Sequence, residues 1–226
     1  MLAGPMQTGG QGPGLSFRWP AAYVGLYPVM RLLFGVDVRG RHNIGNGPQI
    51  LACNHVSNID PLIVGWSSAR EVHFLAKEEL FTANRWFDWL IRGWNAWPVR
   101  RGTGDTEALN RCSWLLKHRQ SLVLFPEGTR SRSGQMQRYR LGVGLLAVEN
   151  RVPVVPVRTQ GVERSWISYK VDRDFVRLGL RSRPTGKTRI RVTFGRPVRP
   201  QDFTPGRKGY VAVTREVERC ARELGA

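Results

Sequence analysis

Short apolar runs recur along the chain, separated by polar or glycine-rich breaks. Residues 36–39 and 49–53 read as strands, the second a compact apolar run that leads straight into Asn54-His55. Further short apolar runs cover residues 72–76, 96–99, 121–125 and 152–157, and residues 189–194 alternate apolar with polar positions as a half-exposed strand does. Helical spacing lies between them. Asp105 fits the cap of a helix in which Ala108, Leu109, Cys112, Leu115 and Leu116 share one face, and Lys117, His118 and Arg119 fall in its last turn, where cations suit the helix dipole. Val213, Val217, Cys220 and Leu224 give a C-terminal helix the same spacing, ending at Gly225. Alternation of strands and helices predicts an α/β sandwich: a mixed, largely parallel sheet flanked by helices. The chain has no internal repeat.

Size and composition narrow this to one unit. With 226 residues, 41% of them hydrophobic, the chain supports one sizeable core, predicting a Gly/Pro/Gln-rich lead-in over residues 1–14, an N-terminal helical region over 15–35 and a single domain over 36–226. Cys53, Cys112 and Cys220 show neither paired nor metal-ligand spacing, so no disulfide framework and no metal site is expected, and the cytosolic side of a membrane fits best. Residues 19–35 approach the length of a membrane span but are broken by Pro28 and Arg31, and the N-terminus has no secretion signal, so neither a full span nor export is expected. Trp19, Tyr23, Tyr27 and Phe34 among aliphatics suit a membrane interface. They equally suit a first helix packed on the domain. A formal charge of +18 predicts attraction to polyanions: an anionic leaflet, an acidic carrier, phosphate-bearing substrates or nucleic acid.

Candidate chemistry is concentrated in two short motifs, each leaving the end of an apolar strand, where sites in open α/β sheets collect. The first is Asn54-His55-Val56-Ser57-Asn58-Ile59-Asp60. A carboxylate on one imidazole nitrogen fixes the tautomer and stabilises the cation formed when the other nitrogen takes a proton. On a straight helix a spacing of five would separate the two side chains by ~140°, so the pair requires His55 in a turn ahead of a helix that begins near Pro61. The pair also fits a helix-capping Asp60 beside a loop histidine. The second motif is Phe125-Pro126-Glu127-Gly128-Thr129-Arg130-Ser131, in which Gly128 permits close backbone approach, Arg130 offers a planar fork of donors and the hydroxyls add more, a set suited to a phosphate monoester. An ordinary turn fits it too.

The two motifs together, with Trp94 to Gly102 and the run Val152-Pro153-Val154-Val155-Pro156-Val157 in the same order, resemble the four sequence blocks of the lysophosphatidic acid acyltransferase family, over residues 23–203. The resemblance implies a glycerol-3-phosphate acyltransferase-like fold and transfer of a fatty acyl group from acyl-CoA or acyl carrier protein to the sn-2 hydroxyl of 1-acyl-sn-glycerol-3-phosphate, or to a hydroxyl of another lysolipid. It further implies His55 as base, Asp60 as its orienting carboxylate, Arg101 and Arg130 as phosphate ligands with Lys77 contributing, and Glu127, Gly128 and Thr129 as a substrate-binding loop. Arg100 departs from the common pattern, leaving open which of the adjacent arginines faces the site. No cofactor beyond the thioester donor and no metal is implied; the expected partners are a lysophospholipid, the acyl carrier and an anionic membrane surface, to which the protein is held peripherally.

Residues 80–97 hold Trp86, Trp89, Trp94 and Trp97 interleaved with Arg85 and Arg92, a composition suited both to a membrane interface and to aromatics packed under the sheet, and a mixture of buried and wet rings is expected, with an acyl groove lined from here. A nucleic-acid-binding module would also use this charge, but no helix-turn-helix, zinc-finger or RNA-binding signature is present, and it leaves both motifs unexplained.

Overall fold

The apolar runs become strands close to the predicted bounds. In the computed structural model, which describes residues 18–82, 85–99, 106–186 and 188–225, they are β1 (Val36–Arg39), β2 (Ile50–Cys53), β3 (His73–Lys77), β4 (Ala96–Val99), β5 (Leu122–Leu124), β6 (Val154–Gln160) and β7 (Ile190–Phe194). They form one sheet in the order β1-β7-β6-β2-β5-β3-β4. All neighbouring pairs are parallel except β6 with β7. The sheet is therefore mixed and largely parallel.

Register explains the hydropathy pattern. β2 lies between β5 and β6, with Ile50 opposite both Leu122 and Val154, and all four of its residues are buried, so it reads as a continuous apolar run. Alternate side chains go to opposite faces. Leu51 and Cys53 join one apolar layer with Trp66, Val155 and Ile190; Ile50 and Ala52 join a second with Leu115, Leu146, Val154 and Val217. In β7, Ile190, Val192 and Phe194 are buried while Arg191 is exposed, which is the alternation seen in the sequence.

Helices α1 (Arg18–Pro28) and α2 (Asp60–Ser68) contribute to the first layer, and α5 (Thr106–Lys117), α6 (Gly142–Asn150) and α9 (Arg207–Glu223) to the second. Gly144 is where α6 meets α9: a Cβ there would lie 2.1 Å from the Tyr210 carbonyl oxygen, so a side chain would force the helices apart.

The N-terminal helix packs on the domain through one face. Tyr23 stacks on Trp66 with ring centroids 5.5 Å apart and accepts a hydrogen bond from the Trp66 Nε1 at its carbonyl, and Met30, in a π-helical turn (Val29–Leu33) that continues α1, is buried. Val24, Tyr27 and Leu32 are exposed, leaving an apolar outer face. Among the described residues no helix is long and apolar enough to cross a membrane.

The tryptophan-rich stretch is broken into α3 (Glu79–Thr82), α4 (Arg85–Gly93) and β4. Trp89 is 64% exposed, Trp94 packs on the first apolar layer, and Trp97 donates from Nε1 to His73 Nδ1 at 3.0 Å. That acceptor leaves the His73 proton on Nε2, 3.0 Å from Gln120 Oε1, and burial holds the His73 pKa below the ordinary histidine value.

Candidate active site

Because β2, β3, β4, β5 and β6 are parallel, their carboxyl ends share one edge of the sheet. β2 hands on to Asn54, whose Nδ2 donates to the Thr159 carbonyl (3.1 Å) and whose Oδ1 accepts from the Thr159 backbone N–H (2.8 Å). These bonds pin the strand end to β6, and the next residue is His55.

From there the chain turns, and α2 begins only at Asp60, with Pro61 in its first turn. This resolves the spacing of five. Asp60 Oδ2 folds back to lie 2.9 Å from His55 Nδ1 while accepting the N–H groups of Val56 (2.7 Å) and Ser57 (2.8 Å). The carboxylate is fully buried; three donors on Oδ2 and the positive end of α2 offset part of its lost hydration, while Oδ1 has no hydrogen-bond partner among the described residues. With the proton on Nδ1, facing Asp60, Nε2 keeps a free lone pair. The imidazole stacks on Phe125, centroids 4.2 Å apart, which fixes its plane.

The second motif grips the same residue from the other side. Glu127 Oε1 accepts the His55 backbone N–H (3.1 Å), and the Ser131 N–H donates to the His55 carbonyl (2.7 Å). Burial raises the Glu127 pKa above the ordinary carboxylate value, partly opposed by hydrogen bonds from the backbones of His55 and Gln137. Gly128 adopts φ +75°, and a Cβ there would meet the Arg140 guanidinium at 2.8 Å. Gly128 and Thr129 are exposed, whereas Glu127 points inward to the His55 peptide.

Arg130 is already engaged. Its Nη1 donates to Asp172 Oδ1 (2.9 Å), its Nη2 pairs with Asp174, and its guanidinium carbon lies 4.2 Å from the centre of the Phe175 ring. Burial pulls the Arg130 pKa down, but hydrogen bonds to and charges of Asp174 and Asp172 more than offset this, and the balance is upward.

The structure thus brings His55, Asp60, Glu127 and Arg130 together. Lys77 ends β3, exposed, on the same sheet edge. Arg101, like Arg100 and the capping Asp105, lies outside the described residues.

Sequence reasoning missed the segment after β6, comprising α7 (Trp166–Val171) and α8 (Arg173–Arg177) with the loop that follows. Fully buried Asp172 accepts from Ser57 Oγ (2.5 Å), the Asn58 N–H (2.9 Å) and Ser168 Oγ (2.6 Å) in addition to Arg130. Buried Arg181 donates from Nη2 to the Val56 carbonyl at 2.7 Å. The signal available was topological: β6 is parallel to β2, so the chain leaving it emerges over the His55 turn. Among the described residues no three His, Cys, Asp or Glu side chains converge to hold a metal.

A histidine with one nitrogen fixed by a buried carboxylate and the other free, at the carboxyl edge of a mainly parallel sheet, suits proton-coupled group transfer at a hydroxyl. Residues 35–160, more than half of the chain, match the family model described as Acyltransferase, and the chain belongs to that family. It is similar to the 1-acyl-sn-glycerol-3-phosphate acyltransferase of Bacillus subtilis, with 25% identity over 200 residues that cover 87% of this chain and 91% of that one. It is also similar to the chloroplastic 1-acyl-sn-glycerol-3-phosphate acyltransferase of Brassica napus, 28% identical over 62% of this chain but only 40% of the longer plant protein. The crystal structure of the 1-acyl-sn-glycerophosphate acyltransferase PlsC from Thermotoga maritima superposes with a TM-score of 0.67 at 25% identity, covering 92% of this chain and 80% of that one.

Proposed function

We propose that the protein transfers a fatty acyl group from an acyl thioester to the sn-2 hydroxyl of 1-acyl-sn-glycerol-3-phosphate, giving phosphatidic acid. The observation that carries the chemistry is the His55–Asp60 pair, 2.9 Å apart and held by backbone bonds on both sides. His55 Nε2 takes the acceptor's hydroxyl proton as the oxygen attacks the thioester carbonyl. The tetrahedral intermediate collapses, the carbon–sulfur bond breaks, and His55 returns the proton to the departing thiol. Asp60 stabilises the transient imidazolium. Arg130, with Lys77 and Arg101, receives the acceptor's phosphate, and the Glu127-Gly128-Thr129 stretch shapes that loop. The reaction requires no cofactor beyond the thioester donor, which is acyl-CoA or acyl carrier protein.

The acceptor is a membrane lipid, so the protein works at a bilayer surface, on its cytoplasmic side. The exposed apolar face formed by Val24, Tyr27 and Leu32, together with a charge of +18, supports peripheral attachment to an anionic leaflet. Thiol release measured with both donors across lysophosphatidic acid, other lysophospholipids, lyso-ornithine lipid and neutral monoacylglycerol tests this reading. Lysophosphatidic acid is expected to be the best acceptor. Release no faster with it than with monoacylglycerol would remove the phosphate from the proposal.

A further inference from the structure

The cation assigned to the acceptor's phosphate carries two carboxylates, and they differ in kind. Asp172 is fully buried and spends its oxygens on four donors from three segments: Ser57 and Asn58, Ser168, and Arg130. It is fixed. The Asp174 side chain is 53% exposed, and its two oxygens face Nη1 and Nη2 of Arg130, with Oδ1 at 3.3 Å from Nη1. A carboxylate that presents both oxygens to a guanidinium fork makes the bidentate contact a phosphate monoester would make. With Asp172 and Asp174 both in place, Arg130 is paired with two carboxylates, so its fork is already occupied where an anionic acceptor has to bind. Phe175 packs against the Arg130 guanidinium from one side, and Arg181, 5.1 Å from the same ring, binds the Val56 carbonyl. The guanidinium plane therefore stays in place when one partner leaves.

Resting on the acyl-transfer reading above, we propose that Asp174 is an internal competitor for the acceptor's phosphate: it holds the Arg130 fork in the free enzyme and yields it to a phosphate-bearing lysolipid, while Asp172 keeps the guanidinium aimed. Asp174 is thereby a specificity-determining residue, and its segment, beyond the residues 35–160 that match the family model, tunes the demand for an anionic acceptor. Exposed ion pairs are weak, which suits a partner that must leave.

The test compares wild type with Asp174→Asn, which keeps the size and removes the charge, and with Asp174→Ala. The ratio of kcat/KM for lysophosphatidic acid over monoacylglycerol, measured with one thioester donor, is expected to rise about three- to tenfold in both variants at low salt, and less at high salt, where an exposed charge is screened. Inorganic phosphate, titrated by ³¹P line broadening without any acyl donor, is expected to bind the variants more tightly by a similar factor. An unchanged or lowered ratio, or unchanged phosphate binding, overturns the competitor role. A wild type that releases no thiol with any acceptor overturns the acyl-transfer reading instead, and the phosphate titration then decides the role of Asp174 by itself.

Discussion

Two fully buried aspartates hold the same four-residue turn from opposite sides, and they teach different lessons. Asp60 takes the His55 ring and the N–H groups of Val56 and Ser57; Asp172 takes the Ser57 hydroxyl and the Asn58 N–H. Asp60 lies five residues from His55 and starts the helix that the turn introduces. Asp172 lies 115 residues from Ser57 and ties the turn to Arg130. One carboxylate holds the His55 ring, while the other links the His55 turn to Arg130. The first region is built from local hydrogen bonds and the second from an ion-pair network spanning three segments.

The largest effect separates the two functions. His55→Ala should lower turnover by at least about 10²-fold, the lower end of what a positioned general base contributes, while lysolipid binding persists. Retention of more than about a tenth of wild-type thiol release would remove His55 from the chemistry. Asp60→Asn should also be severely impaired, because an amide does not enforce the Nδ1–H tautomer and does not stabilise the imidazolium.

Arg130→Ala comes next. Charged hydrogen bonds contribute roughly 1.5–3 kcal/mol, so catalytic efficiency with lysophosphatidic acid should fall by about ten- to over a hundredfold, with little change for monoacylglycerol. An unchanged ratio between the two acceptors would assign the loop to the carrier or to structure.

Asp172→Ala should act on both functions and on stability. It leaves Ser57 Oγ, Ser168 Oγ and the Asn58 N–H without their acceptor and deprives Arg130 of its buried partner, so urea unfolding should show a loss of about 3 kcal/mol. A loss under about 1 kcal/mol would mean that the Asp172 network contributes little and that the turn is held by Asp60, Glu127, Ser131 and Arg181.

The smallest effect belongs to Glu127, which joins the two motif loops. Its pKa is raised on folding, so between its unfolded and folded values the folded chain holds a proton that the unfolded chain has lost. Stability from this group therefore declines as pH rises from about 4.3 towards the folded value and is level above it. Glu127→Gln keeps a carbonyl to accept the His55 N–H and should flatten that decline. Parallel pH–stability curves for the two proteins would show that burial does not perturb this carboxyl.

The strands, the single sheet and the place of both motifs on it were legible from residue order alone. The reason is that strand burial and strand–turn–helix transitions leave a local imprint: β2 reads as an unbroken apolar run because both faces are covered, and His55 and Asp60 meet because a turn followed by Pro61 folds one back on the other. Local pattern also supplied the two faces of the N-terminal helix as alternatives, and packing of Tyr23 on Trp66 showed that one face docks while Val24, Tyr27 and Leu32 remain exposed. It did not supply the inward turn of Glu127 to the His55 N–H, nor Asp172, Asp174 and Arg181 around the motif loops. Those partners are separated along the chain by 42 to 125 residues, and a contact over such a distance has no period for a sequence to display. The parallel course of β5 and β6 on either side of β2 brings them together: β5 delivers Glu127 beside His55, and β6 delivers the segment with Asp172, Asp174 and Arg181 over the His55 turn.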